Sequence, residues 1–246
     1  MKQIILLTRP KIFSESLAAL LQKRGYATMI EPILEVEPRN GPRPDMDRPG
    51  AVMLTSRNAL LMLKGKEDQV EDLFGLPCFC VGHRTAEDAK AFGFRDIVES
   101  KGDSLTLARA IIATAPPSTP LLHIVGEDKS SAASELLVRS GFEVDSWVVY
   151  KALPAEAFSL PLQAALTKGE IAAILFFSPR AASVFATLAK RYGVEACFAG
   201  LTCIGLSKSV MDALRPLTFA AMHIAEEPTE ASMVACLQEI YPIAGG

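Results

Sequence analysis

Residues 52–59, VMLTSRNA, and residues 175–182, LFFSPRAA, read as one device used twice: an apolar run, then a serine and an arginine, then a small residue that can open a helix. Working outward from this pair, CVGHRTAEDA at 80–89 is matched by CIGLSKSVMDA at 203–213. IILLTRP at 4–10, with a helix closed by Gly25-Tyr26, is matched by LLHIVGED at 121–128, with a helix closed by Gly141-Phe142. Ser56 lies 26 positions before Gly82, and Ser178 lies 27 before Gly205, so the spacing recurs along with the motifs. A period of about half the chain is an internal duplication.

Short β-type runs alternate with amphipathic helical runs throughout, the pattern of α/β lobes with mostly parallel sheets flanked by helices. The strand candidates are Ile4–Leu7, Ala51–Leu54, Cys78–Val81, Leu121–Val125, Ala172–Phe177 and Thr202–Ile204. Helices are marked by Leu17, Leu20 and Leu21, by Leu136 and Leu137, and by Val184, Phe185 and Leu188. Glu35–Pro49, rich in proline and charge, and Tyr150–Ala155 break the pattern and read as connectors; the first also reads as a long loop. Because they flank 51–149, the chain is expected to leave one lobe, build the other and return.

With 246 residues, half of them hydrophobic, the chain can bury the cores of two lobes of about 120 residues each. A net charge of −3 gives no global field to recruit nucleic acid or an acidic membrane surface, so an anionic ligand must be held locally. The first apolar stretch is four residues long, far short of a membrane span, and a soluble cytoplasmic protein is expected. Its five cysteines fall in no metal-ligand spacing and read as reduced core thiols, with Cys78 and Cys80 on one face of a strand. His123, alternating within a strand, reads as structural.

Ligands of parallel α/β sheets bind beyond the carboxyl ends of the strands, where loops enter helices. Those loops carry Thr8-Arg9-Pro10-Lys11, Thr55-Ser56-Arg57-Asn58, Gly82-His83-Arg84-Thr85, Gly126-Glu127-Asp128-Lys129-Ser130, Ser178-Pro179-Arg180 and Gly205-Leu206-Ser207-Lys208-Ser209. Seven Lys or Arg stand there against two carboxylates, which in an acidic chain points to a negative ligand held also by hydroxyls and helix-start amides. Serine and threonine at these positions equally serve as helix caps. No G-x-G-x-x-G follows the first strand, Leu206 stands where a phosphate-loop lysine belongs, and the three histidines form no metal or triad set. Neither a cofactor nor a metal is expected. A cleft of amides, hydroxyls and a few cations suits a reaction limited by geometry, and equally a non-catalytic, two-lobed polyanion-binding module.

Taken in order, LTRP, LTSRNA, VGHRTA, VVYKA, FFSPRAA, CIG before a helix, and AEEPTEASMVACL at 225–237 resemble the motif series of uroporphyrinogen-III synthases over nearly the whole chain. The resemblance implies a first lobe of 1–34 plus 153–246, a second of 38–147, and a two-stranded linker of 35–37 and 148–152. It implies a lyase of haem biosynthesis that closes hydroxymethylbilane, a linear tetrapyrrole with eight carboxylates, into uroporphyrinogen III. Water is lost, ring D attacks through its substituted carbon, and a spiro intermediate reopens with that ring inverted. Tyr150 is similar to the family tyrosine proposed to assist departure of the hydroxyl. Thr85, Ser178 and the backbone around Ser56, Gly82 and Gly126 match positions lining the cleft, with Arg9, Arg57, Asn58, Pro179 and Arg180 beside them. Pro228-Thr229 matches the loop entering the last helix, where a threonine also serves as a cap. Where the family commonly has a second threonine, three residues after Gly205, this chain has Lys208; either Ser207 or Ser209 supplies the hydroxyl or the lysine meets a carboxylate. A monomer is expected, with its partners limited to the substrate and a transient contact with the preceding enzyme.

Overall fold

The computed structural model describes residues 4–46, 48–128 and 131–243. The chain forms two compact units, Met1–Glu35 with Leu153–Gly246, and Val36–Ala152. It begins with β1 (Ile4–Leu7), α1 (Lys11–Lys23) and β2 (Ala27–Ile30), and passes to the second unit along β3 (Leu34–Pro38). There follow β4 (Ala51–Leu54), α2 (Arg57–Leu63), β5 (Pro77–Val81), α3 (His83–Phe92), β6 (Asp96–Ser100), α4 (Ser104–Thr114), β7 (Leu121–Gly126), α5 (Ala132–Arg139) and β8 (Val144–Pro154). Back in the first unit come α6 (Leu160–Thr167), β9 (Ile171–Phe176), α7 (Pro179–Tyr192), β10 (Thr202–Gly205), α8 (Lys208–Leu214), β11 (Ala221–Ile224) and α9 (Glu230–Ile240).

The first unit holds a five-stranded sheet in the order β11-β10-β9-β1-β2, and every neighbouring pair is parallel. The second holds a six-stranded sheet in the order β3-β8-β7-β4-β5-β6, parallel from β8 to β6. Backbone bonds from Ala155 N to Ile33 O and from Arg39 N to Val149 O show the β3–β8 pair to be antiparallel, since partner numbers fall along one strand as they rise along the other. Without β3, the strands β6-β5-β4-β7-β8 repeat β11-β10-β9-β1-β2 one for one. The duplication seen in the motifs is therefore a duplication of sheet topology.

Central strands are buried on both faces, which is why they read as unbroken apolar runs: IILL in β1, AVML in β4 and IAAILF in β9. In the first unit Ile5, Leu7, Ala173 and Leu175 meet Leu17 and Leu21 of α1 and Met233 and Leu237 of α9 on one face. On the other face Leu6, Ile174 and Phe176 meet α6, α7 and α8 through Leu162, Phe185 and Leu214. The second unit repeats the sandwich, with α4 and α5 covering one face and α2 and α3 the other. Each large side chain enclosed this way contributes about 1.5–3 kcal/mol of transfer free energy.

Helices α1 and α5 end alike. Tyr26 N bonds Leu21 O and Gly25 N bonds Gln22 O, while Phe142 N bonds Leu137 O and Gly141 N bonds Val138 O. Both glycines have φ near +90° (91° and 92°), the left-handed turn that a side chain resists, and the aromatic after each drops into the core.

Several details differ from the sequence reading. The second α1 leucine, Leu20, is 36% exposed, and the inner face is completed by Ser14 and Ala18 beside Leu17 and Leu21. β9 starts and ends one residue earlier than expected. β2, β6 and β11 carry no long apolar run because each lies at a sheet edge and is only half covered, as the burial alternation of β11 shows. The stretch 35–49 is not all loop, since β3 extends to Pro38.

Candidate functional site

Parallel strands send all their exits to one edge of a sheet, so each unit gathers its βα loops on a single edge. In the first unit that edge carries Arg9 after β1, Ser178, Pro179 and Arg180 after β9, Ser207 and Lys208 after β10, and Thr229 after β11. Ser178 Oγ accepts the Ala181 amide at 3.2 Å, and Thr229 Oγ1 accepts the Ser232 amide at 3.1 Å, so both are helix caps. A capping hydroxyl that accepts an amide keeps its own proton to donate, and capping therefore leaves anion recognition open. Ser207 makes no such bond; its Oγ lies 2.9 Å from Ser209 Oγ, and Lys208 between them is exposed. Thr8 is buried and donates to Leu175 O at 2.7 Å, tying β1 to β9 beneath the loops.

In the second unit the matching edge carries Ser56, Arg57 and Asn58 after β4, Gly82 and Thr85 after β5, and Gly126 at the end of β7. Ser56 Oγ accepts the Asn58 amide at 3.2 Å. Gly82, at φ +75°, opens the ten-residue α3 with no side-chain cap, and Thr85 is buried in the first turn. Below this edge His123 is 2% exposed with Nε2 3.2 Å from Thr55 Oγ1, a structural link between β7 and β4. Tyr150 lies on β8, 9% exposed and packed among Val149, Trp147 and Ile124. Lys129 and Ser130, read with the Gly126 loop, lie outside the described residues.

The cations at these edges are largely balanced locally. Arg9 pairs with Glu230 at 2.6 Å and lies 4.3 Å from the centre of the Phe177 ring; Arg57 Nε lies 2.5 Å from Asp88. Arg84 meets Glu87 at 3.2 Å and Lys11 meets Glu15 at 3.8 Å. The sequence count of seven cations against two carboxylates missed these partners, which stand on helices a turn or more away or far along the chain. Beyond Gly126, both carboxylate oxygens of Glu127 accept from Arg39, at 2.6 and 2.7 Å. These edges therefore offer hydroxyls and helix-start amides more than unbalanced charge.

Sequence reasoning also missed the counterpart of Thr229. Asp103, after β6, caps α4 by accepting the Thr106 amide at 2.9 Å, and its bonds to Thr106 hold its carboxyl below the usual range. Aligning the two sheet orders, with β6 matching β11, is the signal that finds it. His83 Nδ1 lies 3.0 Å from Glu99, and that hydrogen bond, with Glu87 and Glu99 nearby, raises its imidazole pKa. Burial pushes the Cys203 thiol up to about 12, and the Cys78 thiol is raised by its buried neighbour Cys80, Sγ to Sγ 3.8 Å. Among the described residues no three His, Cys, Asp or Glu side chains converge as metal ligands, and no helix is long and apolar enough to cross a membrane.

A family model described as uroporphyrinogen-III synthase HemD matches residues 15–235. The uroporphyrinogen-III synthase of Chlorobaculum parvum is 23% identical over 189 residues, 74% of this chain and 77% of that protein. The fold is that of the crystal structure of uroporphyrinogen-III synthetase from Helicobacter pylori 26695, with a TM-score of 0.64 at 17% identity over 98% of this chain and 100% of that one. A mutant uroporphyrinogen III synthase from the extremely thermophilic bacterium Thermus thermophilus gives a TM-score of 0.59 at 16% identity, covering 96% and 98%.

Proposed function

Given that the chain belongs to the uroporphyrinogen-III synthase family, we propose that the hydroxyls and amides of its βα loops bind hydroxymethylbilane folded so that the substituted carbon of ring D meets the activated carbon of ring A. The enzyme is a cyclising lyase of haem biosynthesis. One observation carries the placement of the substrate: the duplicated sheets set Ser56 and Ser178, each a helix cap, at the same point of the two units. Eight substrate carboxylates are then met by hydroxyl protons and helix-start amides, with Gly82, Thr85, Ser207 or Ser209, and Thr229 extending the two sets. Lys208, which is exposed, adds a positive charge at the loop after β10.

The reaction loses one water. The departing hydroxyl takes a proton from the Tyr150 phenol as its carbon–oxygen bond breaks, and the phenolate takes back a proton released from the substrate as the new ring forms. Positioning supplies the rest, because a bilane closing unaided joins its nearer, unhindered carbon. The lobes are read as 1–34 plus 153–246 and 38–147 with 35–37 and 148–152 as linker strands, in a cytoplasmic monomer that needs no cofactor. A purely binding role is not favoured by the family match.

Freshly made hydroxymethylbilane, incubated with the purified chain without added cofactor or metal, should give the type III isomer by chromatography. Type I alone would overturn the reading.

A further inference from the structure

The geometry points to Gly126 as the residue that positions the Tyr150 hydroxyl; this rests on the reading of Tyr150 as the proton donor. β7 and β8 pair at a constant offset from Leu121↔Val144 to Val125↔Val148, and then the register slips so that Gly126 faces Tyr150 instead of Val149. One extra residue in β8 is a bulge, and a one-residue slip moves a side chain to the opposite face of a sheet. Leu122 and Ile124 point to the face covered by α2 and α3, and Trp147, opposite Ile124, shares it. The slip brings Tyr150 onto that same face, directly beside Gly126.

Gly126 leaves the space that the phenol fills. A Cβ at this position would lie 2.5 Å from Tyr150 Cζ, 2.6 Å from Cε2 and 2.9 Å from the hydroxyl oxygen. The contact is made at the hydroxyl-bearing end of the ring, so Gly126 sets where the oxygen stands more than where the ring begins. Reaching ordinary contact at 3.4 Å demands a shift of about 0.9 Å (3.4 − 2.5). Gly126 is not among the glycines with positive φ, so alanine adds a methyl without backbone strain. A displacement near 1 Å of a reacting group is enough to cost roughly 100-fold in rate.

The test is a double-mutant cycle of Gly126→Ala and Tyr150→Phe, read as kcat and KM for formation of the type III isomer. Gly126→Ala should lower kcat to roughly the level of Tyr150→Phe with KM unchanged, and the double variant should be no slower, since no hydroxyl remains to misplace. Multiplying losses, or a normal kcat for Gly126→Ala beside a slow Tyr150→Phe, would overturn the positioning role while leaving Tyr150 in place. Normal turnover of Tyr150→Phe would remove Tyr150 itself, and the inference with it. Thermal unfolding covers a poorly folding variant: Gly126→Ala should lower the midpoint with Tyr150 present and have little effect beside Tyr150→Leu. An equal drop in both backgrounds would show that the ring is not what the methyl meets, and would overturn the inference.

Discussion

Arg9 holds Glu230 at 2.6 Å across 221 positions of sequence, and both side chains are about 15% exposed (15% and 14%). The pair joins the exit of β1 to the first turn of α9, where a carboxylate also suits the helix dipole. Arg9 therefore has partners within the protein's own structure, Glu230 and the Phe177 ring beneath its guanidinium.

Replacing Arg9 with alanine should consequently act on stability first. A charged hydrogen bond in a partly buried place is worth about 1.5–3 kcal/mol, and urea unfolding should show a loss of about that size. KM for the bilane should change little. A raised KM with unchanged stability would assign Arg9 to substrate instead.

Ser178→Ala removes the cap of the fourteen-residue α7 and should cost about 1 kcal/mol in unfolding free energy. It also removes a hydroxyl proton offered at the loop edge, so KM should rise. Ser178→Asp separates the two effects: it keeps a capping oxygen and sets a negative charge against the substrate carboxylates, so stability should recover while KM rises further. Recovery of both would mean that Ser178 only caps.

His83 should titrate above the ordinary imidazole value of about 6.5, because Glu99, through its hydrogen bond, and Glu87 favour the charged ring. Since the folded pKa is the raised one, the stabilisation is complete below the unfolded pKa and is lost as pH rises through the folded value. Proton NMR of the His83 ring should show the midpoint fall in Glu99→Gln. An unmoved midpoint would place the cause elsewhere.

The α/β class and the paired motifs were legible because β4 and β9 are covered on both faces and spell it out in apolar runs, and because Gly25 and Gly141 mark the same helix ending. β2, β6 and β11 were not, since ATMI, DIVES and AMHI lie at sheet edges and need fewer apolar residues. The candidate loops were legible through the rule that parallel strands open at one edge. The partners of Arg9 and Arg57 were not, because Glu230 and Asp88 come beside them only when the sheets form.

What the sequence determined by itself is therefore whatever repeats locally: strand, capped loop, helix and closing glycine, twice over, together with the family that this order belongs to. Tertiary structure decided which charges cancel and which face Tyr150 takes. The first depends on neighbours brought from far along the chain, and the second on a single-residue slip between β7 and β8. Periodicity is blind to that slip, because a bulge is set by the pairing of two strands and not by either strand alone.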